Sequence, residues 1–207
     1  MTSKQITLFK IVFFLLALLP FSLLLLCGWN NNLGANPIET ITDFTGIWTL
    51  RFLVITLAIS PIRKFTGQAV LIRFRRMAGL FTFFYACMHF LTYIWLDKYF
   101  DWPFIIKDIA EHPYVIVGFT TFLILFSLAV TSPRFMVRNM GKHWKKLHRL
   151  IYPAAFLASF HFIWLVKSDI REPLLYLALF SVLMLLRLPS VEKKTPLIKN
   201  WFRSVKA

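Results

Sequence analysis

Cysteine is almost missing from this 207-residue chain: Cys27 and Cys87 are the only two, each inside an apolar run. That excludes a disulfide framework and any CxxCH motif for thioether attachment of a prosthetic group. Glycine is nearly as scarce, at 7 residues, and no GxGxxG occurs, so a glycine-rich phosphate cradle is excluded as well. Charge occupies 16% of positions, against roughly 25% in a soluble domain. Acids are the scarcest charge, nine against 24 lysines and arginines. What fills the space is apolar: 58% of the residues are hydrophobic and 23 are phenylalanine. This is the composition of a membrane protein. The net charge of +15 does not make a nucleic-acid binder, because long apolar spans interrupt the basic residues and leave no single basic face.

About 20 predominantly apolar residues cross the hydrocarbon core as a helix. Six such runs are predicted, at approximately 8–28, 47–62, 77–96, 114–131, 151–166 and 174–188, giving an all-α, six-helix transmembrane bundle in a single domain over 1–207. The second run carries Arg51 near its start and is short, so it needs tilt or help from its flanks to span. The first is longer than the apolar core of a signal peptide and lacks a small-x-small cleavage site directly after it; it is expected to be a retained helix. Alternate loops sort by charge: 19 of the 24 basic residues fall on one side, and eight of the nine acids on the other. The excess of lysine and arginine predicts that both termini are cytoplasmic. Trp29, Trp48, Trp95, Trp102 and Trp164 lie near the opposite boundary, where amphipathic rings anchor.

Ionisable residues inside a membrane are costly and mark relays, ion paths or cofactors. His89 precedes Asp97 by eight positions and His161 precedes Lys167 by six, depths of about 12 and 9 Å from the outer boundary at 1.5 Å per residue. Both helices run outward. Two imidazoles at matched depth could grip one planar ligand as axial donors to its iron, which also satisfies a nitrogen that hydrocarbon would leave bare. His148 stands thirteen residues before His161, about 20 Å along the axis, a separation that suits two redox stations. On an ideal helix the two side chains would be about 140° apart, and Pro153 between them can change that angle. His112 before Pro113 and His143 in the inner loop read as solvated.

The inner-loop RRMAGL (Arg75 to Leu80), HFLTY (His89 to Tyr93), GKHWKKLHRLIY (Gly141 to Tyr152) and FHFIW (Phe160 to Trp164) together resemble the MsrQ family, also called YedZ. More distantly the chain resembles the ferric reductase-like transmembrane domain shared with NADPH oxidases. The resemblance implies a b-type cytochrome of the bacterial inner membrane that draws electrons from the quinone pool and passes them through haem to a periplasmic molybdenum-cofactor methionine sulfoxide reductase subunit, MsrP-like. It implies His89 and His161 as iron ligands of an outer haem, and FMN as a further cofactor of some members. In the wider family two histidine pairs hold two stacked haems. Here Arg75 and Arg76 stand where a partner for His148 is expected, so His148 serves an inner haem or lies by a flavin or quinone, or is an interfacial structural residue. Arginine is a poor iron ligand but suits a propionate or phosphate; Arg75 and Arg76 are candidate anchors at the inner site, or topology charges, and Arg51 is a candidate at the outer one.

Only about 20 residues follow the last predicted helix, with no nicotinamide fingerprint among them. Electrons from NADPH would have to arrive through another chain. No Ser/His/Asp, HExxH or paired-carboxylate constellation appears either, so substrate chemistry is expected on a partner. A stand-alone reductase of ferric or other metal ions and, in a different class, a proton-coupled transporter are the competing expectations.

Overall fold

A computed structural model describes residues 2–166 and 169–187. Among them all regular structure is helical. The first helix, α1 (Ser3–Trp29), opens with a capping box in which Thr2 and Gln5 satisfy each other's backbone donors. In α2 (Pro37–Thr66) Asn36 accepts from Glu39 N–H and Pro37 supplies the preset first turn; Gly67, at φ 72°, closes the helix in the left-handed conformation. A short 3₁₀ turn leads into α3 (Ile72–Leu91), which continues as a π-helical stretch, Thr92–Asp97. Then come α4 (Trp102–Glu111), α5 (Pro113–Val130), the short α6 (Arg134–Met140) and α7 (Lys142–Leu147), a 3₁₀ turn at His148–Leu150, α8 (Ile151–Leu165) and α9 (Arg171–Leu185).

Four segments are long and apolar enough to cross a membrane: Ser3–Trp29, Pro37–Thr66, Ala69–Asp97 and Pro113–Val130. The expected fifth and sixth spans fall on α8 and α9. Each is 15 residues, about 22 Å, shorter than the roughly 30 Å hydrocarbon core. The predicted end of the last helix, at 188, lies outside the described residues. The second helix is the opposite case: expected to be short at 47–62, it runs for 30 residues, because its cap and Pro37 start the helix ten residues before the apolar stretch begins.

Three helices lie outside the predicted runs, the short basic α6 and α7 and the apolar α4. Asp101 caps it through Phe104 N–H; Ile105 and Asp108 face inward, while Trp102, Phe104 and Ile106 are exposed. Ten residues with apolar groups on the outer surface describe a helix lying along an interface, not one crossing it.

The core is built by α2, α3, α5, α8 and α9. Leu50, Leu53 and Leu57 meet Ala86, Leu125, Leu128, Ile151, Ala154, Ala155, Tyr176 and Phe180. Lipid tails are as apolar as leucine, so close van der Waals packing rather than water exclusion holds such helices together. The fully buried Ala78, Ala154, Ala155 and Ser159 permit that approach. α1 sits at the edge, with most of its large apolar side chains outward. It is attached by a second cluster, Ala17 against Phe52, Phe81 and Tyr85, and by one polar tie, the Tyr85 hydroxyl donating to Ala17 O at 2.8 Å. Tyr85 is fully buried. Tyr85→Phe keeps the ring and removes the hydroxyl donor to Ala17 O, and is expected to cost about 1 kcal/mol. Thermal unfolding of the detergent-solubilised protein should show a lowered Tm; an unchanged Tm would mean that the hydroxyl does not hold α1.

Candidate functional site

His89 lies in the last turn of α3 and His161 near the end of α8. The bundle brings them together: their ring centres are 6.2 Å apart and the rings stand at 83°. His89 Nδ1 is 2.9 Å from Thr42 O on α2, and His161 Nδ1 is 2.7 Å from Tyr114 O on α5. A carbonyl oxygen only accepts, so each Nδ1 carries the proton and donates it. Each Nε2 is thereby left as a bare lone pair, the form in which imidazole binds metals.

Room for these rings comes from two glycines. Gly46 follows Thr42 by four residues and Gly118 follows Tyr114 by four, one helical turn above each accepting carbonyl. A Cβ on Gly118 would stand 2.7 Å from His161 Cε1 and 2.8 Å from its Nδ1. On Gly46 it would stand 3.2 Å from the same atoms of His89. Neither glycine was marked as functional by the sequence reading, yet a signal existed. The carbonyl-to-histidine separation is 47 residues in both cases. Thr42, Gly46, Ser60-Pro61 and His89-Phe90 recur 72 positions later as Tyr114, Gly118, Ser132-Pro133 and His161-Phe162. The α2–α3 and α5–α8 pairs are two copies of one arrangement, each delivering one imidazole with its own carbonyl and its own clearance.

At the opposite end of the bundle the environment is different. His148 belongs to the 3₁₀ turn before α8, so the ideal-helix angle to His161 does not apply. Its Nε2 is 3.0 Å from Thr131 Oγ1, and its ring stacks on Trp144 with centres 4.0 Å apart. Burial, and then the positive charge of Arg75, hold its pKa below the ordinary histidine value, favouring the neutral ring. Arg75 points into the bundle and donates to Ser60 Oγ at 3.3 Å. Beside it is Arg187, one of the 19 basic residues on the lysine- and arginine-rich side. Arg187 Nη1 donates to the Tyr152 hydroxyl at 2.7 Å, Nη2 donates to Leu57 O, and Nε is buried without a partner. Among the described residues neither guanidinium has a carboxylate partner. Two half-buried cations side by side, one of them acting on the His148 imidazole and the other with an unpartnered Nε, make this end of the bundle electropositive.

The remaining sequence candidates go elsewhere. Arg76, one residue and 100° on from Arg75, lies on the α1 side of α3 in a cleft with Lys10. Arg51 lies over the Trp48 ring at 4.7 Å and along a cleft between α2 and α9, away from the imidazole pair. Asp108, one of the eight acids that sort to the side opposite the lysines and arginines, is turned inward: it accepts from the Tyr93 hydroxyl at 2.7 Å and pairs with His112 at 3.1 Å. His112 is therefore a partner of a buried carboxylate and only half exposed, whereas His143 is exposed as expected.

An all-helical bundle with apolar spans and an interior imidazole pair defines a polytopic membrane protein of the ferric reductase type, and the model of the ferric reductase like transmembrane component matches residues 45–159, just over half the chain. Similarity to individual proteins is closer still. A protein-methionine-sulfoxide reductase heme-binding subunit MsrQ of Xanthomonas campestris pv. campestris (strain B100) is 54% identical over 152 residues, covering 73% of this chain and 70% of its own. The MsrQ of Herminiimonas arsenicoxydans is 47% identical over 189 residues, 90% of this chain and 87% of its own. The chain belongs to the MsrQ family.

The imidazole pair fits a haem by its own dimensions. A metal sits about 2.0 to 2.1 Å from an imidazole nitrogen, and the ring centre lies about 1.1 Å beyond it. Two rings sharing one metal end-on thus have centres about 6.2 to 6.4 Å apart. The observed 6.2 Å agrees with this separation, and two imidazoles with unprotonated Nε2 atoms are the kind of donor set a haem iron takes.

Proposed function

We propose that this chain is a membrane cytochrome b whose haem is held by His89 and His161, and that it passes electrons across the membrane to a methionine sulfoxide reductase catalytic partner. The observation that carries the reading is the imidazole pair, 6.2 Å apart with both Nδ1 protons committed to backbone carbonyls. Haem iron with two such ligands takes up and releases one electron at a time. The protein's own contribution is orientation. Thr42 O and Tyr114 O fix the tautomer, hold each ring in plane and raise the basicity of the ligating nitrogen. Gly46 and Gly118 let the rings reach those carbonyls.

The finer parts of the reading have separate support. Six spans in one domain are supported by α8 and α9 packing into the same core as α2, α3 and α5 while exposing apolar side chains on their outer faces. Cytoplasmic termini in a bacterial inner membrane follow from the 19 basic residues on one side. The partner on the far side is a periplasmic molybdenum-cofactor subunit, MsrP-like, and the donor is the quinone pool. Arg75 with Arg187 and Tyr152 forms the inner anion site, suited to a haem propionate or the phosphate of FMN; His148 serves an inner haem or lies against that flavin or a quinone. Arg76 and Arg51 are weaker candidates, since their side chains lie on clefts at the edge of the bundle.

The test is an absorption spectrum of the purified full chain, oxidised and then reduced with dithionite, followed by partner-dependent reduction of methionine sulfoxide in membranes. Reducible b-type bands and activity that needs the partner are expected. Absence of haem bands would overturn the reading in favour of a histidine-based proton relay. Haem bands with ferric reduction independent of any partner would replace the partner half of it with a stand-alone metal reductase.

A further inference from the structure

A cleft of about 510 Å³ opens between α1 and α3, beside the Phe14–Phe81 and Phe21–Phe84 ring contacts that join them. Its two ends differ in chemistry. At the basic end of the bundle it is lined by Lys10 from α1 and by Arg73 and Arg76 from α3; further in, the walls are apolar and include Phe14, Leu18 and Phe84. The arrangement follows from helical spacing. Lys10, Phe14 and Leu18 share one face of α1, and Arg73, Arg76, Met77, Leu80 and Phe84 share one face of α3. The two stripes run side by side for about 12 Å or more.

Three cations line that end without a carboxylate partner among the described residues, and their side chains form none of the hydrogen bonds found among them. Mutual repulsion should spread three such long side chains apart unless an anion sits between them. Water or salt could supply one at an open surface, but the rest of this cleft is lined by aromatic and aliphatic groups that salt does not satisfy. A ligand that meets both ends carries a negative head and a hydrocarbon tail. Basic pockets between transmembrane helices are suited to the headgroups of anionic lipids.

We propose that this cleft is a binding site for one anionic phospholipid, its phosphate held by Lys10, Arg73 and Arg76 and an acyl chain lying along Phe14, Leu18 and Phe84. A quinone, with its uncharged head, gives three cations nothing to neutralise. A zwitterionic lipid brings a competing positive charge to the same place. Arg76 thus acquires a role distinct from that of its neighbour Arg75, which faces the interior. The site also explains how α1, attached to the bundle along one edge only, is held at its basic end. The proposal requires the membrane setting and is independent of haem.

Native mass spectrometry of the full chain in detergent, titrated with phosphatidylglycerol or with phosphatidylcholine of the same acyl chains, tests it. One phosphatidylglycerol should be retained in preference to phosphatidylcholine. In the Lys10→Gln/Arg73→Gln/Arg76→Gln variant the preference should fall on the order of a hundredfold, from about fivefold for each basic residue at a membrane surface. Lys145→Gln/Lys146→Gln, which removes two charges outside the cleft, should leave it unchanged. Because the wild-type comparison needs no variant, misfolding of the triple substitution does not shield the proposal. Equal retention of both lipids, or an equal loss in the control variant, would reduce the cleft to ordinary lipid contact. Full displacement of phosphatidylglycerol by millimolar inorganic phosphate would make it a site for a free anion instead.

Discussion

Alanine at either His89 or His161 is expected to empty the outer haem site, with affinity for haem falling by more than the roughly 10- to 100-fold that removal of an outer-shell partner costs. The two variants should behave alike, because the rings are equivalent: each donates Nδ1–H to a carbonyl and each keeps Nε2 free. A haem retained on one imidazole would shift from a six-coordinate to a five-coordinate spectrum, so the remaining bands report which ligand was lost. Free imidazole added to either alanine variant should restore part of the six-coordinate spectrum, since the space left is the size of the ring that was removed. That rescue separates a lost ligand from a collapsed fold. His148→Ala should leave the outer-site bands in place, whatever it does at the inner end. Full haem content and an unchanged spectrum in both the His89 and His161 variants would end the assignment.

Much of this site could be read from the chain because depth in a membrane is a one-dimensional quantity. Counting residues from His89 and His161 to the next charge placed them level with each other, and the structure puts their ring centres 6.2 Å apart. The first, third and fourth spans were legible for the same reason, since apolar runs of the right length end at charges, whereas the second starts ten residues earlier than its apolar run and α8 and α9 are shorter than a span. Azimuth was not legible. Arg75 and Arg76 are neighbours in sequence and similar in chemistry, yet one faces Ser60 in the interior and the other the cleft beside α1. Nor could hydropathy find α4, which lies on the surface and never needs an apolar run, or Arg187, whose bonds to Tyr152 and Leu57 join segments far apart in sequence. Asp108 is a related case: in the sequence it is one acid among several, and only the packing of α4 turns it toward Tyr93 and His112. The glycines are marked in the sequence only by the 72-position recurrence, which shows that Gly46 and Gly118 correspond but not which ring each makes room for.

Gly118→Ala tests that last point and should have the second largest effect. In a helix interior the change from glycine to alanine ordinarily stabilises by about 1 kcal/mol. Here the new methyl would lie 2.7 Å from His161 Cε1 and 2.8 Å from its Nδ1. The ring cannot swing clear, because its Nδ1–H is bound to Tyr114 O, the carbonyl one turn below the same glycine. Moving it by the several tenths of an ångström needed to relieve the contact breaks that hydrogen bond or misaims Nε2. The expected outcome is a loss of about 10- to 100-fold in haem affinity, with an altered spectrum of whatever haem remains. Gly46→Ala, where the contact is 3.2 Å, should do the same to His89 in milder form. Gly79→Ala supplies the control: its methyl would meet only Thr56 Cγ2, at an ordinary 3.6 Å, so haem binding should be kept. Haem titration and electron paramagnetic resonance of the three variants give the order directly. If Gly118→Ala binds haem as tightly as Gly79→Ala, with the same resonance, then the carbonyl and glycine pairs are a packing coincidence and the imidazoles are positioned by something else.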